Sequence, residues 1–151
     1  MITITGVLVA EHRMFCALFD QIEQMLPTTR RLGELKRLAR LMEGLLAGHA
    51  AVEEDTVLLV LDRAPEHQRR CDSLHKEHHE IDSRITRVHA TRETAEARRL
   101  LAAAITASRK HFQHEERIIF PFIERAAKPK VLANLGMVWM HRRHMPPNWP
   151  V

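Results

Sequence analysis

The chain predicts an all-α fold: an antiparallel up-down four-helix bundle followed by a short C-terminal fifth helix or tail. Three observations predict it. Four long stretches repeat apolar residues three and four apart, with no strand-like alternation of useful length. Gly is scarce (five in 151 residues) and Tyr is absent, while Ala, Leu, Arg and Glu dominate, the usage of a helix-rich chain. A His-rich pattern occurs twice, so the two halves of the bundle resemble each other.

The first helix spans residues 5–26 and ends at Pro27, with Leu8, Phe15, Leu18, Phe19, Ile22, Met25 and Leu26 at helical spacing. The second spans 33–62, carrying Leu35, Leu38, Leu41, Met42, Leu45 and Leu46, then Val52, Leu58 and Leu61, until Ala64-Pro65 stops it. Gly44 and Gly48 weaken it locally without breaking it. The third spans 66–88, with Leu74, Ile81, Ile85 and Val88, and a polar link over 89–93 leads to the fourth. That one spans 94–125, with Leu100, Leu101, Ile105, Phe112, Ile118, Ile119, Phe120 and Phe122. Pro121 lacks an N–H and should kink its last turn. Residues 128–144 form the fifth helix, with Val131, Leu132, Leu135, Val138 and Trp139 on one face. Residues 145–150 are extended, and Trp149 packs on the bundle. The division is therefore a bundle over 1–127 and a packed-on tail over 128–151. Met14, Met25, Met42 and Met137 read as core filling.

Net charge is +4 with pI near 9.6. The basic pairs Arg30-Arg31, Arg69-Arg70, Arg98-Arg99 and Arg142-Arg143 are dispersed among 19 acids, which disfavours nucleic acid as the main partner. No apolar run approaches the roughly 20 residues a membrane span needs. Cys16 and Cys71 form no disulfide framework and no CxxC, so reduced thiols and a soluble cytoplasmic protein are expected. Cys16, one turn after His12, points inward as a pocket wall or a small core residue. A monomer or homodimer is expected.

The repeat carries the chemistry. Glu11-His12-x-x-Phe15-x-x-x-Phe19 aligns with Glu77-His78-x-x-Ile81-x-x-x-Ile85, and His49-x-x-x-Glu53-Glu54 aligns with His111-x-x-x-Glu115-Glu116. Residues four apart share a helix face. Each HxxxE thus projects an imidazole and a carboxylate toward one point. His12 follows the stripe of Leu8 and Phe15, His78 that of Leu74 and Ile81, and His49 and His111 lie on apolar faces too. Titratable groups turned into an apolar core cost several kcal/mol unless paired or metal-bound. His12, His49, Glu53, His78, His111 and Glu115 are the candidate ligands. Their mixed N/O chemistry favours iron over other first-row metals, with both Glu able to bridge two ions. His75 and His79, also four apart, are the alternative pair on the third helix. Glu54, Glu116 and Arg117 are exposed or support the His N–H groups. His67, His89 and His114 read as surface residues, and His141 and His144 as a solvated tail.

This arrangement resembles the hemerythrin-like (HHE cation-binding) family, with its H-HxxxE-H-HxxxE signature, over residues 8–125. The run Glu115-Glu116-Arg117-Ile118-Ile119-Phe120-Pro121 adds to the likeness. The resemblance implies an antiparallel four-helix bundle with a non-haem di-iron centre, two Fe ions bridged by oxo or hydroxo and by carboxylate, held by the six residues above. The oxygen-carrying hemerythrins place a second His one turn before the third-helix ligand, where this chain has Leu74. They use an Asp five residues after the fourth-helix His, where it has Glu116. Five residues turn the helix by about 140° net, so Glu115 at position four faces the His better. Simple oxygen carriage is thereby put in doubt. The expected function is binding of a small diatomic, O2 or NO, for sensing, scavenging or iron and redox stress response. The alternatives are a di-iron oxidoreductase consuming peroxide or NO, and a metal-switched regulatory protein.

Overall fold

Thr3 opens the first helix, its hydroxyl accepting from the Gly6 N–H at 3.2 Å, a side-chain cap for one orphan donor. In the computed structural model, which describes residues 2–61 and 67–143, this helix is α1, Ile4–Met25. It closes where the Thr28 and Thr29 hydroxyls donate to the Met25 carbonyl. α2 covers Leu32–Glu53, passes into a π turn, Glu54–Leu58, and ends in the short α3, Leu59–Leu61. α4 covers Gln68–Ala90 and α5 Thr94–His114. A second π turn, Glu115–Ile119, leads to α6, Phe120–Ala126, and α7 covers Pro129–Arg142. No strand occurs among the described residues.

Contacts between helix ends set the antiparallel order. Arg98 at the start of α5 donates to Leu26 O at 2.7 Å and Thr29 O at 2.9 Å, at the end of α1. Lys36, early in α2, donates to His89 O late in α4 at 2.7 Å. Thr5 at the start of α1 donates to Glu124 of α6 at 2.7 Å. α1, α2, α4 and α5 form the ring: side-chain bonds join α1 to α2, α4 packs on both α2 and α5, α5 meets α1, and α7 lies against α1.

Two apolar clusters fill the bundle. One holds Phe15, Phe19, Ile22, Leu35, Met42, Ile81, Ile85, Leu101 and Ile105. The other holds Ile4, Leu8, Val52, Val57, Leu61, Leu74, Ile119, Phe120, Ile123 and Leu132. On every ring helix the candidate His falls where the stripe passes from one cluster to the other: Leu8 and Phe15 flank His12, Leu46 and Val52 flank His49, Leu74 and Ile81 flank His78, and Ile105 and Ile119 flank His111. The His layer is therefore a polar slice through an otherwise apolar core.

The structure corrects several expectations. The second and fourth helices are not α throughout; each turns π directly after or at its ligand-spaced Glu. Pro121 sits in the first turn of α6 rather than kinking the last turn of a long helix. It has no N–H for the Arg117 carbonyl, and the wider turn just before it takes up the misfit. In the first copy, the Thr56 hydroxyl donates to Val52 O at 2.6 Å, replacing the backbone bond that widening removes. Met14, Met25 and Met137 are exposed, and only Met42 of that set is core. Leu41 and Ile118 are also exposed. The buried stripe of α7 is Leu132, Gly136 and Met140; Val131 and Val138 face outward, while Leu135 and Trp139 pack partly against the second cluster. The expected end of the second helix at Asp62, the start of the third at Glu66, His144 and the Trp149 tail lie outside the described residues.

Candidate metal centre

Each ring helix contributes an imidazole, and α2 and the second π turn add carboxylates. His12 Nε2 and His49 Nε2 lie 3.0 Å apart, and so do His78 Nε2 and His111 Nε2. Glu53 stands between the pairs, 3.2 Å from His49 Nε2 and 3.3 Å from His78 Nε2. Glu115 Oε2 lies 3.2 Å from His12 Nε2 and 3.5 Å from His111 Nε2. Two groups of donors result, each within 4.8 Å: His12, His49, Glu53 and Glu115, and Glu53, His78 and His111. Glu53 belongs to both.

The outward nitrogens are held. His49 Nδ1 donates to Glu11 at 2.8 Å, His111 Nδ1 to Glu77 at 2.8 Å, and His12 Nδ1 to Glu116 at 2.9 Å. Such bonds put the proton on Nδ1 and leave the Nε2 lone pair facing inward, as metal-ligating His require. Among the described residues His78 Nδ1 has no such carboxylate. The far oxygen of Glu77 accepts from His114 at 2.8 Å.

Burial and close packing shift the titration of these groups. Burial would raise Glu53, but the charge of His49 and the close His49 and His78 rings hold its carboxyl well below the usual range. Burial and the neighbouring Glu53 charge push Glu115 well above it. Burial and the charge of His49 bring His12 down to about 4. His49 rises to about 9, because the charge of Glu53 and the bond to Glu11 outweigh its burial. Burial lowers His111 against the pull of Glu77. Two adjacent buried carboxylates cannot both ionise without positive charge between them.

The donor set fits a metal. Among the described residues, both oxygens of Glu53 and of Glu115 are buried without a hydrogen-bond partner, a costly state unless a cation meets them. Two nitrogen donors about 2.1 Å from one ion and near a right angle lie about 3.0 Å apart, the separation found in both His pairs.

The surroundings differ between the pairs. The His12 ring stacks on Phe112 at 4.1 Å and lies 5.6 Å from Phe120, and Phe15 meets the His49 ring edge-on. The His12 side chain is 1% exposed, that of His78 17%. A cavity of about 70 Å³ reaches His49, His78 and His111 between Leu46, Ala47, Ala50, Ile81 and Phe112, with Asp82 also on its wall.

The structure thus gathers His12, His49, Glu53, His78, His111 and Glu115. It leaves His75 and His79 exposed and outside both donor groups. Glu116 reaches His12, whereas Glu54 and Arg117 are exposed. His114 and His67 are not plain surface residues: His114 binds Glu77, and His67 packs on Phe122 at 4.5 Å. Cys16 is half-buried against the first core cluster and does not line the cavity. Sequence reasoning missed the roles of Glu11 and Glu77. Their signal was present: in both copies a Glu immediately precedes the odd-helix His.

Fold and site together define a helical bundle that binds metal through buried His and Glu. The hemerythrin HHE cation-binding domain model matches residues 3–123, and the chain belongs to that family. No curated protein and no solved structure gives a significant match. No helix among the described residues is long and apolar enough to cross a membrane.

Proposed function

We propose that His12, His49, Glu53, His78, His111 and Glu115 hold two iron ions, and that this centre binds a small diatomic, O2 or NO, as a sensor, scavenger or stress-response protein. The observation that carries it is the pair of Nε2–Nε2 contacts at 3.0 Å with four unpartnered carboxylate oxygens between them. Iron bound there supplies open coordination positions and reversible redox chemistry.

The chain's own residues do the rest. Glu11, Glu77 and Glu116 orient three of the rings, accepting from Nδ1 so that Nε2 is turned inward. Glu53, shared by both donor groups, would be a ligand to both ions. Leu46, Ala47, Ala50, Ile81 and Phe112 make the cavity wall largely apolar, which favours a small neutral molecule over a hydrated ion. A cavity of about 10–15 Å³ holds one water, so a space of about 70 Å³ has room for a diatomic.

Anaerobic titration of iron-loaded protein with NO should give a saturable new visible band. Ala50→Leu, which fills the cavity, should slow its growth at least about 10-fold with iron content unchanged. An iron-loaded protein whose spectrum responds to neither NO nor O2 contradicts the proposal, and continuous consumption of either would move it to the oxidoreductase class.

A further inference from the structure

α7 follows the segment matched to the family, which ends at residue 123, yet its end reaches the metal centre. Arg143 Nη2 donates to Glu11 Oε1 at 2.6 Å, and Glu11 Oε2 accepts from His49 Nδ1 at 2.8 Å. Glu11 is only 6% exposed. Both its oxygens are engaged, one by the C-terminal segment and one by the ring. Two glycines make room. At Gly48, next to His49, a Cβ would come 3.1 Å from Arg143 Nη1. At Gly136 a Cβ would come 3.0 Å from Ile2 O and 3.1 Å from the Thr3 carbonyl carbon, so α7 lies directly on the backbone that leads into α1. A further ion pair, Arg142 with Asp55 of the first π turn, fixes the same end of α7. The other half of the repeat is built differently: Glu77 divides its oxygens between His111 and His114, both on α5.

We propose that Arg143 is a positioning residue of the metal centre. It fixes the Glu11 carboxylate so that Glu11 holds His49 with Nδ1 protonated and Nε2 turned inward, and the docking of α7 thereby sets how firmly the His12–His49 end grips its ion. A carboxylate in so buried a place depends on both partners. Without the guanidinium, Glu11 has one unpaired oxygen and is free to swing toward water, and His49 loses its fixed tautomer and ring orientation. The inference rests on the proposed metal reading, but its first readout does not need metal.

The test uses the full chain with Arg143→Met, Arg143→Lys and Gly136→Ala, the last displacing α7 without touching the ion pair. In metal-free protein, 15N NMR reports the His49 and His111 Nδ1–H signals. In metal-loaded protein, a chelator reports the rate of metal loss. Arg143→Met and Gly136→Ala should shift or broaden the His49 signal and leave that of His111 in place. One of two ions should leave about 10-fold faster, the low end of what losing a supporting bond costs, and Arg143→Lys should recover part of it. A His49 signal and metal-loss rates matching wild type in Arg143→Met would overturn the proposal. A wild-type chain that takes up no metal overturns the metal reading instead, and the NMR comparison still decides whether Arg143 positions His49.

Discussion

The two halves of the centre start from the same sequence pattern and end in different surroundings. Around His12 and His49, Phe15, Phe112 and Phe120 press on the rings, and Arg143 reaches in to anchor Glu11. Around His78 and His111, a small cavity opens, His78 is partly exposed, and Glu77 is anchored by His111 and His114 of α5. The repeat supplies donors in symmetric positions; the residues between and behind them decide which end is rigid and which is reachable. In this account the His12–His49 end holds its ion tightly, and the His78–His111 end, where Leu74 stands in place of a further His, admits the small ligand.

That contrast can be broken or sharpened by experiment. The largest effect is expected from packing. Phe15→Ala removes a buried ring that meets His49 edge-on, away from the cavity wall, and should cost about 3–5 kcal/mol. Leu46→Ala, on the cavity wall, should cost nearer about 2 kcal/mol, since space already exists there. Urea unfolding of metal-free protein measures both, and equal losses would erase the distinction.

Next come the supporting carboxylates. Glu11→Gln and Glu77→Gln should each weaken metal retention by about 10- to 100-fold. Glu11 should lie at the upper end, because it is buried and doubly engaged. Competition with a chromophoric chelator ranks them, and a larger loss for Glu77→Gln would reverse the assignment of the rigid end.

A smaller effect is the acid response of metal-free protein. Burial alone would raise Glu11 and Glu77, but bonds from His49 and His111 hold both below the ordinary value of 4.5. The unfolded chain then binds more protons near that pH. The stability these groups give is present above about pH 4.5 and is lost as pH falls through their folded values. Thermal unfolding from about pH 6 to about pH 3 should show the melting temperature falling, less steeply in Glu11→Gln.

The smallest effect compares two glycines on α2. A Cβ at Gly44 meets nothing within 4 Å, so Gly44→Ala should stabilise by up to about 1 kcal/mol. Gly48→Ala should gain less, because its methyl meets the Arg143 guanidinium at 3.1 Å. Equal gains in thermal unfolding would mean the guanidinium does not sit over Gly48.

Much of this was legible in the chain. The helical stripes, the breakers and the doubled HxxxE spacing all follow from the 3.6-residue period. That period also places Glu115 rather than Glu116 beside His111. The π turns were not legible, because a widened turn depends on one unmade backbone bond. In the first copy only Thr56, whose hydroxyl takes the Val52 carbonyl, marks it. Met14 illustrates the limit of composition: two residues beyond His12 on a helix points nearly to the opposite face, and Met14 is exposed. Glu11 and Glu77 were visible as residues preceding a ligand-spaced His. Their partners, however, lie on neighbouring helices, so only the packing of α1 on α2 and of α4 on α5 reveals the bonds. Arg143 reads in sequence as one of several surface Arg pairs; its reach to Glu11 needs α7 docked on α1.

The most direct measurement is metal content with a visible spectrum, on protein produced with ample iron and on the His49→Ala, His111→Ala double variant. The account predicts about two irons per chain with charge-transfer absorption in the wild type, and loss of both in the variant. Iron absent from both proteins, or retained equally by the variant, would contradict it.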